Sequence, residues 1–460
     1  MERDFLSTIA AVSSPRGKGG VALIRISGEE AVAVAGRCFS PKNGKAVEEL
    51  ESRKAVFGDI TDGECIIDDG MLTVFRAPAS YTGEDVVEIS CHGGVLVTSR
   101  VLEAVFKAGA TPAAAGEFTR RAFVNGKLSL TKAEAVGEIL EAKSDAQLRV
   151  AASQRRGKLS EKIEEAAKEL VALVGAVYAK IDYPDEDLAE VSDKEFVTRA
   201  KAVAEKLEKL KSTYRSGSAI FEGVKTVICG APNRGKSSLY NAIAGEEAAI
   251  VTDIAGTTRD ILERDIVLGS VLLHLTDTAG IHETSDTVEK IGVRRAEEKL
   301  SEAELIMLVL DASEPLASED IALIDTLKNT NAPKIAILNK CDKGDAGISL
   351  DETVFTNIVK ISAKNGDGID DLRAVVEKLF LEDGIDTSND AIVSSARQFT
   401  SLGEAIVCIS DAISLVESGL PSDLAASDLE RAVASLDELD GRRVAEDVVS
   451  EIFGKFCVGK

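Results

Sequence analysis

Residues 230–238 constrain this chain more than any other segment. They read Gly-Ala-Pro-Asn-Arg-Gly-Lys-Ser-Ser and fit the pattern G-x-x-x-x-G-K-S, between the strand-like stretch Val224–Cys229 and a helix-like one that begins at Ser238. In such a loop backbone N–H groups surround phosphates, while Lys236 would reach the β- and γ-oxygens and Ser237 would bind Mg²⁺. On its own, the pattern also fits a glycine-rich turn with a solvated lysine.

Later segments favour a guanine-nucleotide site over that alternative. Asp277-Thr278-Ala279-Gly280 follows an apolar stretch, where the Asp would hold the Mg²⁺ shell and the Gly would sense the γ-phosphate. In Asn339-Lys340-Cys341-Asp342, the last carboxylate can accept both N–H groups on one edge of guanine, which adenine does not offer. Ser362-Ala363-Lys364 would close over the base, and Thr258 would give Mg²⁺ a second hydroxyl. With the phosphate loop these make five motifs, which follow one another along the chain in the order typical of GTPases. They predict a GTPase rather than an ATPase.

The residue after Gly280 is Ile281, at the position where Ras-type GTPases have a glutamine that orients the attacking water. Another residue must therefore orient the water. Asn233 is a candidate ligand for a monovalent cation beside the phosphates, with backbone carbonyls of residues 249–258 folded over it. The alternatives are an ordinary switch loop at 249–258, and Arg259 as the cationic group, although Arg259 is expected to pair with Asp260.

The pattern of apolar runs, glycines and prolines along the sequence predicts a chain of the α/β plus α class. Residues 1–125 alternate short apolar runs with Gly and Pro and predict a mixed α/β domain. Residues 126–218 and 381–460 are helical, and residues 219–380 alternate strands and helices, as a mostly parallel sheet requires. We therefore expect one helical domain into which a Ras-like P-loop G domain is inserted.

Composition limits the partners and the compartment. The net charge is −24, and residues 381–460 contain 6 basic and 16 acidic residues, so a broad RNA-binding surface is not expected. The seven cysteines are widely spaced and include no Cys-x-x-Cys pair, which favours a reducing compartment. The N-terminus lacks signal-peptide features, and the apolar run at 170–179 is short of the ~20 residues that span a bilayer. We expect a cytoplasmic protein with no membrane contact.

Other segments give the chain a resemblance to the tRNA-modifying GTPase MnmE (TrmE) family over essentially its full length. They are Gly20-Val-Ala-Leu-Ile-Arg-Ile-Ser-Gly28, Tyr81-Thr-Gly-Glu-Asp-Val-Val-Glu88, His92-Gly-Gly94, Gly116-Glu-Phe-Thr-Arg-Arg-Ala-Phe123 and the terminal Cys457-Val-Gly-Lys460.

The resemblance implies a folate-binding N-terminal domain that also mediates homodimerisation, followed by the helical domain with its inserted G domain. It implies potassium-dependent GTP hydrolysis, in which K⁺ promotes dimerisation of the G domains. It further implies an FAD-dependent partner of the MnmG type in a heterotetramer, with tRNA bound mainly through that partner. Together they would install an aminomethyl-type (carboxymethylaminomethyl) group at C5 of the wobble uridine, using a 5,10-methylene or 5-formyl tetrahydrofolate and NADH through the partner.

Residue roles carry over by motif. K⁺ would bind Asn233, Thr252, Ile254 and Thr257, and Mg²⁺ would bind Ser237 and Thr258. Glu289 would orient the water, although by sequence alone it resembles a first-turn helix acid. Arg25, Glu88, Lys127 and Lys460 would bind folate. Cys457 would be catalytic, although composition alone favours a small apolar tail residue.

The nucleotide contacts implied in this way, with those derived above, are Asn233, Arg234, Gly235, Lys236, Ser237, Ser238, Thr252, Asp253, Ile254, Ala255, Gly256, Thr257, Thr258, Asp277, Thr278, Ala279, Gly280, Asn339, Lys340, Asp342, Ser362, Ala363 and Lys364.

Two residues depart from the family pattern: Arg234 stands where a small residue is usual, and His282 where an Arg is frequent. Arg234 could alter nucleotide affinity or offset phosphate charge. Two other functions stay open at this point. One is a regulatory GTPase in ribosome assembly without chemistry of its own, which would usually carry a basic RNA-binding module. The other is a folate-dependent transferase gated by GTP.

Overall fold

The computed structural model describes residues 7–15, 17–182, 192–247, 263–277, 300–355, 357–382 and 384–460. The chain divides into two compact units. Unit 1 comprises Met1–Gly137, Arg155–Ala167 and Val433–Lys460, and unit 2 comprises Glu138–Gln154 and Lys168–Ala432. The three predicted domain boundaries stay a prediction.

Unit 1 is built on a seven-stranded sheet in the order β3-β4-β5-β6-β2-β1-β7. Helices α1 and α2 pack on one face, where Ile24, Ile26, Ile89 and Leu72 are fully buried. The mixed α/β character predicted for this part of the chain is confirmed, with strands β2 and β6 and helix α2 among its elements. The strands are β1 Ile9–Val12, β2 Val21–Ser27, β3 Phe39–Pro41, β4 Ala55–Thr61, β5 Ile66–Phe75, β6 Val86–His92 and β7 Thr111–Pro112.

A helical layer completes unit 1. A second apolar cluster joins α4 to α14 through Leu130, Ala133, Val449 and Phe453. The helices that begin in the first 137 residues are α1 Ala31–Cys38, α2 Val95–Lys107, α3 Glu117–Val124 and α4 Leu130–Glu141, with a short 3₁₀ helix at Val47–Glu49.

Unit 2 contains a six-stranded sheet in the order β13-β12-β11-β8-β10-β9, parallel except for the edge strand β9. Strands β11 and β12 are buried along their whole length, as expected for a sheet covered on both faces. The predicted α/β alternation is confirmed. The strands are β8 Val224–Cys229, β9 Glu263–Leu268, β10 Val271–Asp277, β11 Leu305–Asp311, β12 Lys334–Asn339 and β13 Asn357–Lys360.

Two long helices confirm the helical character predicted for residues 126–218: α6 has 25 residues and α7 has 20. The remaining described helices are α5 Asp145–Arg156, α6 Lys158–Asp182, α7 Asp193–Ser212, α8 Tyr214–Phe221, α9 Lys236–Glu247, α10 Ser318–Leu327, α11 Ile369–Phe380, α12 Ala396–Glu417, α13 Ser422–Asp440 and α14 Glu446–Gly454.

By length and composition alone, α12 could cross a membrane. Half of its apolar window is nevertheless buried inside the structure, and it packs against α7. An apolar helix with this burial fits the core of a folded unit.

Candidate functional site

The nucleotide motifs gather at one edge of the sheet in unit 2. The phosphate loop follows β8, Asp277 ends β10, Asn339 ends β12, and Ser362 follows β13. In a parallel sheet the carboxyl ends of the strands meet at the same edge, where ligands usually bind. The topology therefore brings together motifs that are more than a hundred residues apart in the chain.

The phosphate loop has the backbone conformation that its sequence requires. Asn233 and Gly235 have φ of +61° and +97°, a left-handed region in which Asn is tolerated and Gly is favoured. A Cβ on Gly235 would lie 2.2 Å from Nδ2 of Asn339, so only glycine fits there. Lys236 Nζ donates to the carbonyls of Gly230 and Ala231 at 2.8 and 3.1 Å.

Ser237 and Ser238 are exposed in the first turn of α9, where the helix N-terminus favours anions. This is the position from which the hydroxyl of Ser237 would bind Mg²⁺.

Asn339, the last residue of β12, and Lys340 after it hold the phosphate loop, although β12 is separated from β8 by β11. Asn339 is buried, donates from Nδ2 to the carbonyl of Arg234 at 3.0 Å, and accepts at Oδ1 from the N–H of Ala363 at 3.0 Å. Lys340 Nζ donates to the carbonyl of Asn233 and to Asp311, each at 2.7 Å.

Asp342 is positioned by the base-closing segment. The hydroxyl of Ser362, which is fully buried, donates to Oδ1 of Asp342 at 2.8 Å, while Asp342 itself is exposed. A carboxylate fixed at one oxygen and facing solvent fits the proposed role of binding the N–H edge of guanine. Lys364, two residues after Ser362, is also exposed.

The side chain of Arg234 is held by two carboxylates. It is 8% exposed and donates to Asp320 and Glu314. Burial lowers the pKa of Arg234, but the hydrogen bonds to Asp320 and Glu314 outweigh this and raise it above its usual value.

Asp311 contacts a residue of the nucleotide motifs, Lys340, and the sequence analysis missed it. It ends β11 and is 5% exposed. Burial raises its pKa, but hydrogen bonds from Lys340 and Ser313 outweigh burial and lower the pKa to about 2. Its signal in the sequence is an acidic residue at the end of the apolar run Leu305–Leu310, the same position that Asp277 holds in β10.

Several predicted residues lie outside the described part of the chain. For Asp277 only the backbone, as the last residue of β10, is described. The others are Thr252, Asp253, Ile254, Ala255, Gly256, Thr257, Thr258, Arg259, Thr278, Ala279, Gly280, Ile281, His282 and Glu289.

A second candidate site lies in unit 1 around Arg25 on β2. Its Nε and Nη2 each lie 2.9 Å from Oε1 of Glu88 on the paired strand β6. The guanidinium carbon is 5.6 Å from the ring centre of Tyr81 and 5.7 Å from that of Phe118. The sequence analysis assigned no role to these two rings, although both lie within segments on which the resemblance rests.

The last four residues of the chain are docked beside this site. The N–H of Phe118 donates to the carbonyl of Lys460 at 3.2 Å, and the N–H of Gly116 donates to that of Cys457 at 3.4 Å. Ser13 Oγ donates to the carbonyl of Gly459 at 2.9 Å. Cys457 is an exposed, free cysteine.

Lys127 occupies a different position from the other three predicted folate residues. It follows α3, and its Nζ donates to the carbonyl of Pro78 at 2.9 Å. The described contacts thus link Arg25, Glu88, Lys460 and Cys457 through Phe118 and Gly116, and hold Lys127 to the loop before β6.

Sequence comparisons cover both units. The family model described as "MnmE helical domain" matches residues 130–457, and the one described as "GTP-binding protein TrmE N-terminus" matches residues 8–127. The G domain of the T. maritima FeoB iron transporter is 22% identical, covering 34% of this chain and 97% of that one, with a TM-score of 0.26. A score that low supports no conclusion.

Curated relatives described as "tRNA modification GTPase MnmE" match along the whole chain. The Clostridioides difficile protein is 40% identical over 456 residues, 98% of this chain and 99% of the relative. The Bacillus licheniformis protein is 40% identical and the Bacillus subtilis protein 39%, each over 99% of this chain and 100% of the relative. With its helical and N-terminal family models both matched, this GTP-hydrolysing chain belongs to the family of tRNA modification GTPases MnmE.

Proposed function

We propose that this chain is a potassium-dependent GTPase that, with an FAD-dependent partner of the MnmG type, installs a carboxymethylaminomethyl-type group at C5 of the wobble uridine of certain tRNAs. The observation that carries the proposal is the docked C-terminal segment, which holds the backbone of Cys457 to Gly116 and that of Lys460 to Phe118, the residue whose ring contacts Arg25. A terminal segment normally frays unless specific contacts hold it.

The donor set around Arg25 suits a tetrahydrofolate derivative, in its 5,10-methylene or 5-formyl form. The Glu88 carboxylate can accept the paired N–H donors of a pterin, and Arg25, Lys127 and Lys460 carry cations that suit a carbonyl or a glutamate tail. The half-buried ring of Tyr81 adds flat apolar surface beside them, and the fully buried ring of Phe118 supports Arg25 from within the fold. When bound, the folate would supply the one-carbon unit.

For GTP hydrolysis we propose that Ser237 and Thr258 bind Mg²⁺, and that Asn233, Thr252, Ile254 and Thr257 bind K⁺. Glu289 orients the attacking water in place of the missing glutamine. The described part of this set supports the proposal in one respect: Asn233 is exposed at the edge of the sheet, beside the first turn of α9.

We propose a homodimer formed through the sheet of unit 1. Leu23, Ser90, Met71 and Phe57 lie directly opposite one another across β2, β6, β5 and β4, and therefore share one face. Phe57 and Met71 are 47% and 39% exposed, on the face opposite to the one that α1 and α2 cover. The partner of the MnmG type would complete a heterotetramer, bring FAD and NADH, and bind most of the tRNA, which suits the net charge of −24.

The free thiols suit a reducing cytoplasm, where we propose the protein works, without contact to a membrane.

The test is nucleoside analysis of tRNA from a deletion strain complemented with the wild-type chain or with Cys457→Ser. We expect Cys457→Ser to abolish the wobble modification and to leave GTP hydrolysis within about threefold of wild type, since an Oγ is a far weaker nucleophile than a thiolate. Cys65→Ser, which changes another exposed cysteine of unit 1, is the matched control and should restore the modification. Full modification by Cys457→Ser would remove this residue from the chemistry.

A further inference from the structure

Arg234 is the one residue of the phosphate loop whose side chain is buried together with acidic partners, among the residues that the structure describes. Its Nε and Nη2 donate to the two oxygens of Asp320 at 3.3 and 2.6 Å, and its Nη1 donates to Glu314 at 3.0 Å. This is the planar fork contact of a guanidinium with a carboxylate, which a lysine cannot reproduce. Its charge is therefore directed at α10 and the turn before it.

Asp320 is itself fixed in place. It is 1% exposed and accepts, at Oδ2, the N–H of Ala317 at 3.0 Å, which caps the N-terminus of α10. A carboxylate buried to this extent needs a counter-charge. Removing one partner of such a pair strongly destabilises the folded protein, because the other charge is left buried and unpaired. Asp320 thus ties Arg234 to a helix that packs on the sheet.

The backbone of the same loop is held by two residues at the end of β12 and just after it. Asn339 donates to the carbonyl of Arg234, and Lys340 donates to the carbonyl of Asn233. Carbonyls fixed in this way set the direction of the loop's N–H groups, because each peptide unit turns as one plane. The N–H groups are the ones that contact phosphate in such loops.

We propose that the Arg234–Asp320 pair is a positioning device that holds the phosphate loop in its nucleotide-binding conformation and so sets how long the nucleotide stays bound. Arg234 acts through the loop backbone and makes no contact with the phosphates. The loop then loses little conformational freedom on binding, which lowers the cost of association and slows release.

The experiment measures release of N-methylanthraniloyl-GDP from the full-length protein, chased with excess GDP, together with kcat and KM for GTP. We expect Arg234→Ala and Asp320→Asn each to speed release by roughly 2- to 100-fold, the range seen within one hydrogen-bond network. The double variant should release no faster than the faster single variant, since both substitutions break one contact. KM should rise while kcat stays within a few-fold.

Glu319→Gln is the matched control, because Glu319 is the exposed neighbour of Asp320 in the first turn of α10. It should release nucleotide at the wild-type rate. Arg234→Lys keeps the positive charge but lacks the planar two-point contact with Asp320. We expect its release rate to lie between those of the wild type and Arg234→Ala. If Asp320→Asn does not fold, Arg234→Lys provides the second measurement of the contact.

Three results would overturn the proposal. Faster release from Arg234→Ala but not from Asp320→Asn would mean that Arg234 contacts the nucleotide directly. If the fold-increases in release rate of the two single variants multiply in the double variant, the two residues act separately. A lowered unfolding temperature with wild-type release in Arg234→Ala and Arg234→Lys would mean that the pair only stabilises the fold.

Discussion

Asn339 donates from Nδ2 to the carbonyl of Arg234 and accepts at Oδ1 from the N–H of Ala363, so one buried amide joins the phosphate loop to the base-closing segment. Asp342 is exposed and fixed at one oxygen by Ser362, and we propose that it contacts the base. The motif would then divide its work between a residue that holds loops and a residue that recognises the base.

Asp342→Asn should weaken GTP binding and relax base selectivity, because an N–H donor would then face the N–H edge of guanine. Xanthosine triphosphate, which offers a carbonyl at that edge, should gain in relative affinity by roughly tenfold or more. Competition binding against labelled GDP measures this. Asp345→Asn, an exposed neighbour that pairs with Lys360, should behave as wild type. Unchanged GTP selectivity in Asp342→Asn would place base recognition elsewhere.

Asp311 gives unit 2 a pH-dependent contribution to its stability. Hydrogen bonds lower its folded-state pKa from 3.8 to about 2, so it stabilises the fold above about pH 4 and that contribution is lost as the pH falls toward 2. Asp311→Asn should lower the free energy of unfolding by about 2 kcal/mol at pH 7. The difference in the free energy of unfolding between Asp311→Asn and wild type should narrow below pH 4. Urea unfolding at pH 7 and pH 3 measures this difference.

The control for that comparison is Asp325→Asn, whose exposed carboxylate pairs with Lys328 on α10 and should give little change at either pH. A gap between wild type and Asp311→Asn that stays constant from pH 7 to pH 3 would contradict the assignment.

Residue identities in the motifs could be predicted from the sequence, because phosphate and guanine chemistry demands particular groups at fixed spacing. The partner of Arg234 could not. Asp320 lies in another element, and only the packing of α10 beside the phosphate loop brings the two charges together. Asp311 is an intermediate case, since its position after an apolar strand is visible in the sequence but its contact with Lys340 is not.

Among the elements, the docked C-terminal segment depends on a single glycine. Gly459 has φ of +100°, and a Cβ there would lie 2.3 Å from the carbonyl oxygen of Val12. Val458 also forms an antiparallel bridge with Ala115. The segment is therefore held by backbone contacts that require close approach, with little help from side chains.

Gly459→Val should displace this segment and lower wobble-uridine modification by roughly 100-fold, the cost of misplacing a reacting group by about an ångström. GTP hydrolysis should stay within a few-fold, because the nucleotide motifs belong to the other unit. Gly454→Val is the matched control, since a Cβ at Gly454 meets no heavy atom within 4 Å. Equal modification by both variants would contradict a role for the docked segment.

Elements with strong local signals were predictable from the sequence. The apolar strand β8 ends in a glycine-rich loop, and α2 follows His92-Gly-Gly94 with clear helical spacing. Strand β5 is harder to predict, because it contains Asp68, Asp69 and Gly70, which are typical turn residues. Its pairing with β4 and β6 supplies the stabilisation that its own sequence lacks.

At the scale of the whole molecule, the alternation of α/β and helical texture predicted the fold class but not the division into units. The boundary between the two units falls within the helical sequence, so helical residues belong to both units. Helical periodicity reports which face of a helix is buried, and it does not report which neighbour covers that face.

Hydrolysis of GTP by the full-length protein should be faster in K⁺ than in Na⁺ at equal ionic strength, by about tenfold or more, because a bound cation would offset charge in the transition state. Asn233→Ala should lose this preference, and so should Asn233→Gly, which suits the φ of +61° at this position. The control is Asn329→Ala, which changes an exposed residue away from the motifs. An unchanged rate and K⁺ response in both Asn233 variants would exclude Asn233 as a ligand.

The composition of unit 1 also has a consequence for the order of events during translation. Residues 433–460 leave the ribosome after the whole of unit 2, yet they complete unit 1 by burying Phe453 against α4 and by bonding Thr131 to Asp440. Helix α4 must wait with this apolar surface uncovered, while the sheet of unit 2 has all its strands and can close. Slow elongation through the middle of the chain would lengthen that wait, and a nascent chain arrested there would be the species that chaperones capture.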